Sequence, residues 1–123
     1  MSVSHDKLAS HFIGSALGEF IGDAMGMAVE GWPSGAIQRE FGLLSDLQPG
    51  RFPAGCYTDD TEMMISILEA IVAEGKFDPE AVAARFLANF HPERGYGGRI
   101  YGIMDRLAAG VPWDQVGTDS FGN

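Results

Sequence analysis

The sequence predicts an all-α protein, and three observations support that fold class. Apolar residues recur at helical spacing, most clearly between Met63 and Val72. Gly and Pro residues separate the apolar runs at distances that suit helix ends, and no run alternates as a strand would. With 123 residues, 46% of them hydrophobic and 20% charged, the composition is typical of one globular domain, 1–123.

The first predicted helix runs from near Asp6 to about Met27. Four glycines fall on one stripe of it, at Gly14, Gly18, Gly22 and Gly26. Each interior glycine costs about 1 kcal/mol relative to alanine, so the stripe predicts close approach by another backbone or a flat ligand. Glu19 and Asp23 interrupt the apolar run, and no run approaches the length of a membrane span, which favours a buried helix over a membrane dimer motif.

The later helices are predicted from their end signals. Ser34 is expected to cap a short helix that reaches Phe41. A longer helix follows the acidic cluster at Thr58–Glu62 and stops at Gly75. Asp78 as N-cap with Pro79 at the first helical position begins the next helix. The remaining predicted elements are that helix's continuation to His91, a Gly-rich loop over 92–98, a helix over 99–109 and a turn at Pro112-Trp113.

The cluster Thr58-Asp59-Asp60-Thr61-Glu62 has two interpretations. One is helix capping, because Asp59 and Glu62 have the spacing of a capping box and carboxylates suit the positive end of a helix. The other is a metal site, because adjacent carboxylates and hydroxyls are hard oxygen ligands for Mg²⁺ or Mn²⁺ and the ion offsets their repulsion.

A second candidate site is the loop Arg94-Gly95-Tyr96-Gly97. Its backbone N–H groups and aromatic ring could face a nucleotide. An ordinary turn between two helices has the same composition.

Charge and cysteine content exclude several function classes. The net charge of −9, with eight Lys and Arg residues, argues against nucleic-acid binding. The single cysteine, Cys56, fits a reducing compartment and excludes a disulfide framework. The N-terminus lacks the apolar core of a signal peptide. We therefore expect a cytoplasmic protein with no membrane or nucleic-acid partner.

Four segments, taken in order, resemble the ADP-ribosylglycohydrolases, the group that includes the dinitrogenase-reductase-activating glycohydrolase and the ADP-ribosyl-acceptor hydrolases. These segments are Gly22–Glu30, Thr58–Met63, Arg94–Gly97 and Ser120–Asn123. The resemblance implies a compact multi-helix fold that holds a pair of Mg²⁺ or Mn²⁺ ions at the bottom of a cleft. It also implies hydrolysis of the bond between ADP-ribose and a modified protein side chain or a related acceptor.

The resemblance assigns a role to each matching position. Thr58, Asp59 and Asp60 are implied as metal ligands. Glu30 is implied as a further ligand or as the catalytic group that handles protons. The implied substrate-binding residues are Arg94, Gly95, Tyr96 and Gly97, which shape the cleft, and Ser120, Gly122 and Asn123, which contact ADP-ribose.

The sequence departs from the family in one respect. Family members are longer and carry a second metal motif of the type Asp-x-Asp-Thr in their C-terminal half, and this sequence has none. We therefore expect residues 1–123 to be an N-terminal portion that needs a complementary C-terminal chain or segment and is inactive alone. Two alternatives stay open: a non-catalytic ADP-ribose-binding or structural relative, and an all-α Mg²⁺-dependent nucleotide pyrophosphohydrolase.

Overall fold

The computed structural model describes residues 4–117 and confirms the all-α prediction, since that range contains no strand. Its five α-helices are α1 (His5–Gly26), α2 (Ser34–Glu40), α3 (Asp59–Glu74), α4 (Pro79–Asn89) and α5 (Gly98–Ala108). Three short 3₁₀ turns lie at Met27–Val29, Pro92–Arg94 and Trp113–Gln115. The chain forms two compact units, Met1–Thr61 and Glu62–Asn123, and the boundary between them falls within the first turn of α3.

The first unit is built on α1 and on the chain segment that returns to its C-terminal end. Ala24 and Met27 are buried there, and the ring of Phe20 contacts that of Tyr57 edge-on at 6.2 Å between centroids. Gly50 packs so closely that a Cβ atom on it would lie 2.7 Å from the Cα of Ala28. Only glycine fits this contact without displacing backbone, so the loop around residue 50 is fixed against the end of α1.

The glycine stripe on α1 is open. At Gly14, Gly18, Gly22 and Gly26 an added Cβ would meet no heavy atom within 4 Å among the residues described. Leu17 and Ile21, on the same side of the helix, are each at least half exposed. Within residues 4–117 no backbone packs along the stripe, so the close approach that the sequence predicts stays a prediction.

The segment His5–Val29 is long and apolar enough to cross a membrane by length and composition alone. The expectation that no run approaches that length is therefore wrong. The core helix of a soluble protein and a signal sequence pass the same test, so one such helix does not establish a membrane span. Asp23, inside this segment, instead accepts hydrogen bonds from protein groups.

The second unit packs α4 and α5 around a small hydrophobic core. Tyr96, Ile100 and Met104 are its buried centre, and Phe86 and Phe90 pack against them. The predicted start of α4 is confirmed, because the Asp78 side chain accepts from the backbone N–H groups of residues 80 and 81 and Pro79 is the first helical residue. These caps and apolar contacts hold the loop that contains residues 91–97.

The start of α2 differs from its prediction. Ser34 is the first helical residue and Pro33 is the N-cap, and no side-chain hydrogen bond caps this helix. The ring of Pro33 fixes its φ, here −61°, and its ψ of 139° makes this residue extended, so α2 begins at Ser34 with no side-chain hydrogen bond at its cap.

Candidate functional site

A single carboxylate on α1 anchors the N-terminal end of α3. Asp23 accepts four hydrogen bonds: from the backbone N–H of Thr58 at 2.8 Å and of Thr61 at 3.2 Å, and from their hydroxyls at 2.6 and 2.5 Å. Both threonines are buried, at 3% and 1% exposure. Asp23, 35 positions before Thr58 in the chain, thus caps the start of α3 by accepting from the backbone N–H groups of Thr58 and Thr61.

This arrangement excludes the capping box. Asp59 is the first helical residue of α3, and the carboxylate of Glu62 bonds to groups from the later loop and does not reach back to the helix start. Asp59 and Asp60 are therefore not needed as caps. Their carboxylates still suit the positive end of the helix dipole, and carboxylate oxygens are also the ligands that a hard divalent cation prefers.

The hydrogen bonds to Asp23 leave an oxygen of Thr58 available. Because the Thr58 hydroxyl donates its hydrogen to Asp23 Oδ1, its lone pairs are free to accept or to ligate. Burial by itself raises the pKa of Asp23, and the hydrogen bonds from Thr58 and Thr61 outweigh it, so the net pKa is lowered. Asp23 is ionised at neutral pH and stabilises the fold at this point.

Beside this anchor lies an open pocket of about 410 Å³. Its lining includes three carboxylates besides Asp23, and we call it the acidic pocket. It is lined by Gly18, Glu19, Gly22, Asp23, Gly26, Met27, Val29, Glu30, Thr58 and Asp60. The glycine stripe forms one wall, and the absence of side chains at Gly18, Gly22 and Gly26 makes room for the pocket. Three predicted site residues therefore meet in it: Glu30, Thr58 and Asp60.

The pocket concentrates negative charge. The pKa of Asp60 is raised, first by partial burial and then by the neighbouring carboxylates of Asp59, Asp23, Glu19 and Glu30. A raised carboxylate pKa means that the protein disfavours the charged form at this position. A cation in the pocket would relieve that repulsion.

Among the described residues, Glu30 pairs with the cation of Arg51. Arg51 Nη2 donates to Glu30 Oε2 at 2.5 Å, and the two side chains are 38% and 59% exposed. An exposed ion pair of this kind contributes little to stability and can rearrange. Glu30 thus lines the acidic pocket while Arg51 donates to the Oε2 atom of Glu30.

The residues present fit a hard divalent cation by donor chemistry. Carboxylate and hydroxyl oxygens from Asp59, Asp60, Glu30 and Thr58 are the ligand types that Mg²⁺ and Mn²⁺ prefer. Within residues 4–117, however, no three His, Cys, Asp or Glu side chains come together closely enough to hold an ion by themselves. The described part of the chain therefore supplies some ligands and not a closed site.

In the second unit another buried carboxylate organises the loop after α4. Glu62 Oε1 accepts from the backbone N–H of His91 at 2.8 Å and from the hydroxyl of Tyr96 at 2.9 Å. Glu62 Oε2 lies 2.8 Å from His91 Nδ1 and 3.8 Å from Arg94 Nε. The Glu62 side chain is 4% exposed. The hydrogen bond to Glu62 and the charge of this carboxylate raise the pKa of His91 above its ordinary value.

The structure narrows what the loop Arg94–Gly97 can offer a ligand. The Tyr96 ring is buried against Phe90, at 4.8 Å between centroids, and its hydroxyl is bonded to Glu62. Its ring is therefore packed in the core of the second unit, and the nucleotide-facing role of Tyr96 stays a prediction. Gly95 has a backbone φ of 101°, which favours glycine, and Gly97 is exposed, so backbone groups are what the loop can present.

Some predicted residues remain apart or undescribed. Ser120, Gly122 and Asn123 lie outside the described residues. Asp59 sits next to Asp60 but does not line the acidic pocket. Two residues that organise these sites, Asp23 and Glu62, were not predicted to do so. The available signal for Asp23 was an ionisable residue inside an apolar helix, which seldom stays there without a partner.

The chain matches the ADP-ribosylglycohydrolase family over residues 4–123. An uncharacterised protein of Archaeoglobus fulgidus is 37% identical to it over 109 residues, and ADP-ribosylhydrolase ARH3 of Xenopus tropicalis is 32% identical over 105. The ADP-ribosyl-(dinitrogen reductase) glycohydrolase of Rhodospirillum rubrum is 32% identical over 85 residues. These matches cover 85%, 82% and 67% of this chain.

The same matches cover 36%, 30% and 28% of the relatives, so the chain spans about a third of their length. The matched region includes the acidic pocket and the loop held by Glu62. Because the family match extends over nearly all of the sequence, this chain belongs to the ADP-ribosylglycohydrolase family.

Proposed function

We propose that this chain provides the N-terminal part of a metal-dependent hydrolase that removes ADP-ribose from a modified protein side chain or a related conjugate. The observation that carries the proposal is the acidic pocket, in which Asp60, Thr58 and Glu30 meet beside a helix start fixed by Asp23. The family match and the names of the relatives support the ADP-ribosyl hydrolase activity.

The residues of the pocket, and Asp59 beside it, have separate tasks in this proposal. Asp60, Thr58 and Glu30, with the neighbouring Asp59, would hold Mg²⁺ or Mn²⁺, which would orient the ribose hydroxyls and water and offset negative charge. Asp23 keeps Thr58 in place and accepts the hydrogen bond from its hydroxyl, which leaves the lone pairs of the Thr58 hydroxyl available to a ligand. Cleavage at the ribose C1′ develops positive charge on the sugar, which surrounding carboxylates stabilise. Glu30, which lines the pocket, would accept a proton from water in this proposal.

We further propose that the complete site takes groups from a complementary C-terminal chain or segment and that this chain alone is inactive. Two observations support this. No three acidic side chains among residues 4–117 form a closed ligand set, and the glycine stripe beside the pocket is uncovered in that range. A pair of six-coordinate ions needs about twelve ligand positions, more than the acidic pocket supplies.

The partners proposed here are an ADP-ribose-bearing substrate and the complementary chain or segment, with no nucleic acid and no membrane. The net charge of −9 supports the exclusion of nucleic acid, and the single cysteine supports a cytoplasmic location. The four hydrogen bonds to Asp23 support a protein-facing role for α1.

The test is a hydrolysis assay on the protein as cells make it, with any chain that copurifies. Mono-ADP-ribosylated arginine and serine peptides are supplied with Mn²⁺ in ¹⁸O-water, and products are identified by mass spectrometry. We expect ADP-ribose labelled at its C1′ hydroxyl. We expect Asp60→Asn and Glu30→Gln each to lower the rate by at least about a hundredfold, whereas Glu40→Gln, outside the pocket, leaves it unchanged.

Other products would contradict the proposal in defined ways. Binding of ADP-ribose without release of any product indicates the non-catalytic relative. Release of AMP from nucleotide substrates, with no cleavage at C1′, indicates the pyrophosphohydrolase. Activity that survives Glu30→Gln removes the proton-handling role from Glu30 and leaves it as a residue that lines the pocket.

A further inference from the structure

The second unit carries two adjoining pockets that the hydrolase proposal does not use. Both lie along α4 and α5 and meet at the 3₁₀ turn Trp113–Gln115. They share three lining residues, Ala83, Leu107 and Trp113. We call them the carbon pocket, of about 300 Å³, and the rim pocket, of about 570 Å³.

The carbon pocket is lined by hydrocarbon and aromatic side chains. They include Phe77, Val82, Phe86, Ile103, Leu107 and Val116. Two large apolar residues at its edge remain exposed, Phe77 at 63% and Trp113 at 46%. Its volume suits one large apolar side chain, and concave apolar sites flanked by exposed aromatic rings are typical anchor points of protein interfaces.

The rim pocket, next to it, is electronegative. Glu80 and Asp114 line it, and neither forms an ion pair among the described residues. Gly110 and Val111, which follow the C-terminal end of α5, also line it, and that end carries the negative pole of the helix dipole. The basic residue of the last turn, Arg106, donates to the carbonyls of Val116 and Gly117 and forms no ion pair with Glu80 or Asp114 among the described residues.

Trp113 lies in both pockets, so an occupant of one is beside the other. Its indole face is a favourable surface for an ammonium or guanidinium group. The two pockets together therefore suit a segment that presents a large apolar side chain next to a Lys or Arg. An acidic segment would repel the carboxylates of Glu80 and Asp114. A purely apolar segment would cover them without providing a cationic partner.

We propose that these two pockets form a docking groove for a basic amphipathic segment of a partner protein. An apolar side chain of the partner enters the carbon pocket, and its lysine or arginine lies over Trp113 between Glu80 and Asp114. This groove goes beyond the proposed hydrolase activity and does not depend on it, because all its residues belong to the second unit.

The probe for the test is a short fluorescein-labelled amphipathic peptide with Phe and Leu on one face and lysines beside them. Its binding to the intact chain is measured by fluorescence anisotropy, alongside a peptide in which glutamates replace the lysines. We expect the lysine peptide alone to bind. The double variant Glu80→Lys/Asp114→Lys should weaken binding by about tenfold, as the loss of two rim charges predicts.

A matched control separates the groove from the overall negative charge. Glu40→Lys/Asp46→Lys makes the same charge change on exposed positions of the first unit and should leave the affinity unchanged. Phe77→Ser, at an exposed position where folding is not at stake, should also weaken binding. Circular dichroism confirms that each variant is folded.

Three outcomes would overturn the proposal. The control pair weakens binding as much as the groove pair, which makes the attraction nonspecific. Phe77→Ser and the groove pair both leave binding unchanged, which places the peptide elsewhere. The chain dimerises in sedimentation experiments and the groove variants abolish the dimer, which makes a second copy the occupant.

Discussion

Asp23 combines structural and electrostatic roles on one carboxylate. Its four hydrogen bonds satisfy two backbone N–H groups and two hydroxyls whose threonines are almost fully buried. An amide at this position keeps one acceptor oxygen and places an N–H₂ group against donors. The position therefore tolerates a carboxylate and little else of that size.

We predict that Asp23→Asn lowers the free energy of unfolding by about 2–3 kcal/mol, because two or more charge-assisted hydrogen bonds are lost and buried donors are left unpaired. Urea denaturation followed by circular dichroism measures the change. Glu19→Gln removes the same charge from α1 one turn earlier, where no side-chain hydrogen bond is recorded, and should cost far less. Equal losses in the two variants would mean that charge, and not the hydrogen bonding of Asp23, sets the effect.

Glu62 and His91 form a second contact between individual residues that affects stability. The hydrogen bond and charge of Glu62 raise the pKa of His91 above its ordinary value, Glu93 adds to this, and Arg94 also faces Glu62. A histidine whose pKa is raised in the folded state stabilises the fold when it is protonated. This contribution is full below the unfolded pKa of about 6.5 and is lost as the pH rises through the folded value.

We predict that the free energy of unfolding falls as the pH rises from about 6.5 through the folded pKa of His91, and that Glu62→Gln removes this dependence. Histidine ¹H–¹³C NMR titrations should show the His91 pKa falling in Glu62→Gln. The same charge change on the same helix, Glu69→Gln, serves as the control. A His91 pKa that is identical in Glu62→Gln and the wild type would show that this carboxylate does not hold the ring.

Among the helices, α1 contains four glycines that lower its helical stability relative to alanine at the same positions. Its four glycines lack any side-chain contact within residues 4–117, and three of them line the acidic pocket. Glycine inside a helix costs stability relative to alanine. The open stripe therefore favours a helix kept bare for an incoming ligand or segment over one optimised for the isolated chain.

We predict that Gly14→Ala and Gly22→Ala each raise the free energy of unfolding by about 0.5–1 kcal/mol, since an added Cβ meets nothing and alanine favours the helix. Their effects on ligand binding should differ. Only Gly22 lines the acidic pocket, so only Gly22→Ala should weaken ADP-ribose binding in calorimetry. If Gly14→Ala weakens binding equally, the ligand does not lie where the acidic pocket is.

The predicted helix boundaries rest on signals from neighbouring residues in the sequence. They are correct where the capping groups are neighbours in the chain, and they miss caps that come from elsewhere. Asp78-Pro79 places the start of α4 because its acceptors and donors are all within three residues. Ser34 is the same kind of signal, but Pro33 has the extended backbone of an N-cap, and the cap lies one residue earlier than predicted. The cap of α3 could not be read locally, because its acceptor is Asp23.

Some residues of the candidate site could likewise be predicted from the sequence, and others could not. A family-like motif pointed to Glu30, Thr58 and Asp60, and these three residues line one pocket. Asp23 and Glu62 were missed as organising residues because their partners lie about thirty residues or more away in the chain. Residue type and spacing reveal chemistry that a motif carries, whereas a carboxylate that supports it from another element becomes visible only when the chain is folded.

For the whole molecule, the decisive property is its negative charge. The net charge is −9, and the first unit places Asp60 among the carboxylates of Glu19, Asp23, Glu30 and Asp59. Ordinary salt screens such charges everywhere on the surface. A divalent ion bound in the acidic pocket would instead stabilise the folded chain at that site alone. Comparing its effect on stability with that of ordinary salt therefore measures metal binding without an enzymatic assay.

We predict that Mn²⁺ raises the thermal midpoint of the chain more than NaCl of equal ionic strength does. Binding to the folded state alone contributes about 1.4 kcal/mol when the ion is about tenfold above its dissociation constant. Asp60→Asn should abolish this gain. The same variant should raise the metal-free midpoint slightly, because the raised pKa of Asp60 reflects first the partial burial of its charge and then repulsion by neighbouring carboxylates, and the amide carries no charge. Differential scanning fluorimetry with and without EDTA measures both effects.

The two opposite effects of Asp60→Asn separate a metal site from an acidic surface. Glu74→Gln removes one charge from the far end of the same helix and should change neither the metal-free midpoint nor the gain with Mn²⁺ by much. If NaCl and Mn²⁺ raise the wild-type midpoint equally, the ion acts by screening alone. In that case the carboxylates of the acidic pocket would have to serve the substrate directly, since Asp23 already fixes the start of α3 without them.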